Sequence, residues 1–226
     1  RADVATAGPS PPIGDINTAI RRLTLASHAP LRYVLPSRQE AYDRAYSTQV
    51  RGGKGVFRQL DREESLVHLM RVNLLKRMES SVVAFGLTVE RQLAAVESLI
   101  ARIDAHADSI DEVSIADLEL DDPLFESLSV GKGVRVLLAD ADRVRWRQDL
   151  LDDRKRLSTL LDHARRVTPE RDAKLKRLRD FIASKAAEPF NPGNRKVIVF
   201  TAFADTAADP TTLDKVVVKG ERAEGY

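Results

Sequence analysis

One seam of apolar residues constrains this chain more than any other feature. Leu75, Met78, Val82, Phe85, Val89, Leu93, Val96, Ile100 and Ile103 follow one another at intervals of three or four, a spacing that only a helix keeps on one face. The run predicts a helix over about residues 61–107, roughly 70 Å long at a rise of about 1.5 Å per residue. A helix of that length cannot bury its seam alone. A return helix is expected over 134–166, marked by Leu137, Ala141, Val144, Leu151, Leu157, Leu160 and Ala164 and running on to Val167. With the segment 104–133 as connector, the two should pack as an antiparallel hairpin at a shallow crossing angle. Gly86 lies inside the seam, costs ~1 kcal/mol relative to Ala there, and is the expected position of a bend or a break into two helices.

Charge is balanced overall and uneven along the chain. Thirty-six Lys and Arg face 34 Asp and Glu in 226 residues, so the net charge says little about partners. From Asp104 to Glu126, however, there are nine acidic residues and no Lys or Arg, and from Lys132 to Lys185 sixteen Lys and Arg against nine acidic residues. A basic block of this kind meets phosphate in some proteins and is a solvated mixed-charge helix in more of them. The absence of cysteine removes disulfides and thiolate metal sites. No apolar run approaches the ~20 residues that span a bilayer, and the first residues lack a signal-peptide pattern. A cytoplasmic protein without a membrane partner is the expectation.

The ends of the chain read differently from its middle. Residues 1–14 are small and Pro-rich, a linker or a cut end. Asp15 is expected to cap a helix over about Ile16–Ser27, and a second helix should start near Ser37. Thr168, with Pro169 at the first helical position, is expected to cap a further helix. Beyond a Pro/Asn/Gly turn, Lys196–Thr201 of "KVIVFTAF" is a strand apolar on both faces, as in a sheet covered on both sides. "DKVVVKG" at 214–220 is a second strand candidate. The expected fold is mainly α, a long antiparallel helical hairpin with a short α/β piece at its C-terminal end. Three regions follow: 1–60, linker and helices; 61–167, the hairpin; 168–226, a helix leading into one strand of an incomplete domain.

Asp172, Lys174, Leu175, Leu178 and Phe181, followed by Lys196 through Phe203, resemble the start of the second RecA-like domain in Swi/Snf-like, superfamily-two helicases and translocases. The strand there resembles helicase motif IV. Upstream, "YVLPSRQEAYDRAY" and "LVHLMRVNLLKRMESSVVAFGLTVERQL" are similar to the region between the two motor domains in bacterial members of that group. The resemblance covers about residues 31–107 and 168–207. It implies ATP and Mg²⁺ in a parent protein, DNA as partner, duplex in type, and subunits of a transcription-recycling or phage-defence complex as further partners. This stretch lacks a GxxxxGK[ST] phosphate loop, an acidic box after an apolar strand and an arginine-bearing motif VI. Phosphoryl transfer needs a phosphate cradle, a held metal and charge-stabilising arginines together, so these residues alone should neither bind nor hydrolyse ATP.

The resemblance assigns Lys76, Arg77, Ser80 and Ser81 of "LLKRMESS" to a nucleic-acid backbone or a neighbouring motor domain, against the simpler reading of solvated helix positions. Thr201 joins them because open α/β sheets place ligands at the carboxyl ends of their strands, although a threonine there often only caps. For Arg143, Arg145, Arg147, Arg154, Lys155 and Arg156, pairing along the helix to Asp140, Asp149, Asp152 and Asp153 is favoured over phosphate. Trp146 is expected at a helix junction. His28, His68, His106 and His163 lack zinc spacing. The leading expectation is a connector of motor lobes in an ATP-dependent DNA translocase. The alternative is a stand-alone helical-hairpin interaction module, which would leave "KVIVFTAF" as an exposed edge.

Overall fold

The computed structural model describes residues 13–49, 56–105, 112–114, 134–167, 172–189 and 191–194. Six α-helices account for most of them: α1 Ile13–Arg21, α2 Pro36–Tyr46, α3 Gln59–Ser80, α4 Val82–Ala105, α5 Arg143–Arg165 and α6 Ala173–Ala187. Two short antiparallel ladders hold the strands among the described residues. β1 (Thr48–Gln49) pairs with β2 (Val56–Phe57), and β3 (Glu112–Ser114) pairs with β4 (Arg135–Leu137). The strand expected at Lys196–Thr201, the second at 214–220 and the Thr168 cap lie outside the described residues.

The protein is mainly α, and its centre is an antiparallel hairpin of α4 and α5. The direction follows from two cross-helix pairs. Arg147, at the start of α5, donates to Asp104 at the end of α4 (2.6 and 3.1 Å), whereas Arg165, at the end of α5, donates to Glu90 near the start of α4 at 2.8 Å. Exposed pairs of this kind contribute little to stability. The apolar seam holds the hairpin together: Phe85, Val89, Val96, Ile100 and Ile103 of α4 are buried, as are Trp146, Leu150, Leu157 and Leu160 of α5.

The single long helix expected over 61–107 is broken at Ser81, not at Gly86. Ser81 is extended (φ −152°, ψ 131°), its amide N–H still donates to the Arg77 carbonyl, and its hydroxyl accepts from the Ala84 N–H at 3.3 Å. It therefore ends α3 and caps α4 in one residue, a role suited to a serine, whose short side chain competes for backbone groups. Gly86 is an uninterrupted helical residue whose missing side chain faces α5. A Cβ placed on it would lie 3.5 Å from the Ala164 Cβ.

The return helix is also shorter than its pattern. It starts at Arg143, capped by Asp142, which accepts from Arg145 N–H at 3.0 Å. The preceding residues 135–140 form β4 and a 3-10 turn. Leu137 and Ala141 thus belong to the approach, and Val144, expected in the seam, is 83% exposed.

The N-terminal segment shares the hairpin's core. Ile20, Leu23, Leu25 and Tyr33 pack in one apolar cluster with Met70 and Leu74 of α3, Val89 and Val96 of α4, and Trp146 and Leu157 of α5. Residues 23–34 are not the second half of a helix: α1 ends at Arg21, and two 3-10 turns, Ala26–His28 and Pro30–Tyr33, follow. That irregular stretch touches α3, α4 and α5. None of the described helices is long and apolar enough to cross a membrane.

Candidate functional site

Backbone inside a core must find hydrogen-bond partners, and the segment 23–34 finds them on long-range side chains. Asp153 of α5 is fully buried, and its two oxygens accept from the Thr24 N–H (2.7 Å) and the Ala26 N–H (2.9 Å). Between these amides sits Leu25, in the left-handed region at φ 53°, a conformation that costs a non-glycine residue about 1 kcal/mol or more. The carboxylate thus fixes a strained turn, which also explains why α1 cannot continue to Ser27. Burial pushes the Asp153 carboxyl above its usual range, and the Ala26 and Thr24 amides pull it back.

Trp146, one turn N-terminal of Leu150, is fully buried as well. Its indole N–H donates to the Ala26 carbonyl at 2.9 Å, and its ring stacks on Tyr33 with centroids 5.3 Å apart. Tyr33 in turn donates to Asp149 at 2.8 Å, and the Arg145 guanidinium lies 5.8 Å from its ring centroid. From the other side, Arg71 of α3 donates through Nε and a terminal nitrogen to the Leu23 carbonyl, at 2.9 and 2.6 Å. Glu63 of α3, 1% exposed, accepts from the Leu31 N–H at 3.0 Å through Oε2, while its Oε1 has no partner among the described residues. Burial raises the Glu63 carboxyl to about 9, so at neutral pH it is a protonated acid. His28 is equally buried, neither ring nitrogen has a partner among the described residues, and burial lowers it to about 4.

A second set of contacts locks the approach to α5. Leu35 N–H donates to the Asp140 carbonyl (2.8 Å) and Asp142 N–H to the Tyr33 carbonyl (2.7 Å). Two tyrosines of α2 then act as a side-chain strand along β4. The Tyr42 hydroxyl accepts from Leu137 N–H at 3.1 Å and donates to Asp140 at 3.0 Å, and the Tyr46 hydroxyl bonds both the N–H and the carbonyl of Arg135 at 3.1 Å. Arg38 completes the corner with an ion pair to Asp140 at 3.1 Å.

This clasp is built to hold backbone. The carboxyl groups of Asp153 and Glu63 face amide N–H groups, and no group of three or more His, Cys, Asp or Glu among the described residues is placed to hold a metal. Two acids of α5 are used between elements: Asp153 on the 23–26 turn and Asp149 on Tyr33. Arg147, expected to pair along the helix, is bonded instead across the hairpin to Asp104, while Arg156 still acts electrostatically on Asp153 along the helix. Trp146 does stand at a junction, where it closes the turn.

Of the residues assigned to a nucleic-acid backbone, Lys76, Arg77, Ser80 and Ser81 lie together at the end of α3. Lys76 is exposed on α3, but Arg77 is 6% exposed, Ser80 is half-buried, and Ser81 is the joint described above. Four neighbours in sequence thus have different surroundings, because α3 turns one face inward and ends there. Thr201 lies outside the described residues. Sequence reading missed Glu63 and the surroundings of His28 and Asp153. A signal existed for two of them, since Glu63–Val67–Met70–Leu74 and Leu150–Asp153–Leu157 keep the spacing of three and four with a carboxylate in a core position. Comparison with family models, curated proteins and solved structures yields no match to this chain.

Proposed function

We propose that these residues serve as a connecting brace in an ATP-dependent DNA translocase of Swi/Snf-like type, linking motor lobes whose ATP- and Mg²⁺-binding parts are not encoded here. The observation that carries the reading is a coincidence of motif and geometry. "LLKRMESS", the stretch most similar to the region between motor domains, lies where two long helices meet at one extended residue, Ser81. A piece that couples lobe closure to movement on DNA needs stiff arms and a defined joint, and α3 and α4 supply both. Lys76, exposed one turn before that joint, is the residue of the group best placed for a phosphate or a facing lobe. The carbonyl of Arg77 accepts the Ser81 N–H at that joint. The "KVIVFTAF" segment is read as motif IV on sequence resemblance alone.

The test is DNA-stimulated ATP hydrolysis by a longer protein containing these residues, beside the 226-residue chain. Hydrolysis stimulated by duplex DNA in the longer protein and absent from the chain supports the connector. Stimulation should fall steeply with salt, because contacts go mainly to phosphates. A longer protein that shows no DNA-stimulated hydrolysis removes the reading.

A further inference from the structure

We propose that one face of α6, carrying Lys174, Arg177 and Phe181, binds a single strand of nucleic acid, its cations meeting phosphates and the Phe181 ring stacking on a base. The helix is set firmly at its start: Asp172 caps it, one carboxylate oxygen accepting from the N–H groups of Lys174 (2.9 Å) and Leu175 (3.0 Å). Its fifteen residues hold five cations and one carboxylate, Asp180. Only Leu175 is buried, with Leu178 and Ile182 half-buried on the same side.

The helical repeat places Lys174, Arg177, Phe181 and Lys185, at steps of three and four, in a strip beside that apolar side. The strip is roughly 16 Å long at the helical rise. Lys174 and Arg177 are exposed and form no ion pair among the described residues, and Asp180 sits about 100° round the helix from Phe181. Phe181 is 55% exposed, the one large apolar side chain in the strip, and the Lys185 ammonium lies 5.9 Å from its ring centroid.

Charge and ring together select the occupant. A protein partner docking on a lone exposed phenylalanine would have to strip water from the cations on either side of it. A nucleic-acid strand offers a negative backbone for Lys174 and Arg177 and a flat π-face for Phe181, the pairing by which single strands are held without regard to sequence. A duplex offers the phosphates, but its bases are stacked within and leave the ring without a partner. The inference stands apart from the motor reading, since it concerns binding by this chain itself.

The experiment is fluorescence anisotropy of the 226-residue chain with a labelled oligothymidylate and a labelled duplex of equal length, at several salt concentrations. Phe181→Ala should weaken strand binding about tenfold, as expected for one stacked base, with the salt slope unchanged. Phe181→Trp should retain it. Lys174→Gln combined with Arg177→Gln should reduce the slope of log affinity against log salt by ~1.4, the release from two phosphates of a single strand. Arg154→Gln with Lys155→Gln on α5 should change neither. Circular dichroism confirms that the variants fold; Phe181, Lys174 and Arg177 are exposed, so folding should be retained. Absence of oligothymidylate binding overturns the proposal. So does binding that Phe181→Ala leaves unchanged, or a Phe181 loss that is equal on strand and duplex. A longer protein without DNA-stimulated hydrolysis would sink the connector reading and leave a positive strand-binding result standing.

Discussion

Glu63→Gln should make this protein progressively more stable than the parent chain as pH rises. Glu63 is buried in α3, accepts the Leu31 N–H, and is raised by burial to about 9 from an unfolded value near 4.5. Below about pH 4.5 the carboxyl is protonated in both states and contributes no pH dependence. Above it, the unfolded chain releases a proton that the folded chain keeps, so unfolding is favoured by about 1.4 kcal/mol per pH unit until the folded group also ionises. Between about pH 7 and about pH 8.5 the loss is about 2 kcal/mol, a large share of the 5–15 kcal/mol typical of a domain. Glutamine keeps an acceptor for Leu31 and cannot ionise. The two proteins should therefore be of similar stability near about pH 5 and diverge steadily above it. Urea unfolding followed by fluorescence measures this well, because the single tryptophan, Trp146, is fully buried beside the segment that Glu63 holds. All other titrating groups are common to both chains, so the difference isolates Glu63. Parallel stability curves over this range would refute the argument and mean that the carboxyl is solvated or paired when ionised.

His28 gives the opposite slope. Its folded value of about 4 lies below the unfolded 6.5, so the folded ring resists the proton that the unfolded one accepts, and stability falls as pH drops from 6.5 towards 4. His28→Leu should lower the midpoint of acid unfolding relative to the parent chain and leave stability at neutral pH equal or about 1 kcal/mol higher, because it removes two buried nitrogens that have no partner among the described residues. An unchanged acid midpoint would mean that the ring is protonated or solvated in the folded state. Gly86→Ala should add about 1 kcal/mol and raise Tm by about 2–4 °C, since the new methyl meets Ala164 at an ordinary contact distance of 3.5 Å. A loss of stability on thermal unfolding would show that α4 and α5 lie closer there than this geometry allows.

The hairpin was legible because α4 and α5 repeat a spacing of three and four. The joint was not, for the same reason. From Met78 to Phe85 the spacing continues through Ser81 without a slip, so periodicity cannot register that one residue between is extended. Glycine at 86 was a stronger local signal for a bend than serine at 81. The structure reverses their roles, because Gly86 lies against Ala164 within an intact helix and Ser81 caps the next one. Val144 shows a related limit: it fits the seam of a helix that begins at 134, and loses its place when the chain enters α5 only at Arg143.

The buried carboxylates mark the boundary most sharply. Sequence by itself determined that the chain is mainly α, that an apolar seam folds it into an antiparallel hairpin, and that its cations gather after residue 132. Those features follow from local propensity and from a repeat that each helix carries alone. The α5 side of the clasp meets a segment more than a hundred residues away: Asp153 can be read as a surface partner for its helix neighbours until Thr24 and Ala26 present their amides to it. A buried amide N–H donates to whichever oxygen the tertiary packing brings within about 3 Å, and no spacing within α5 or within residues 23–34 encodes that meeting.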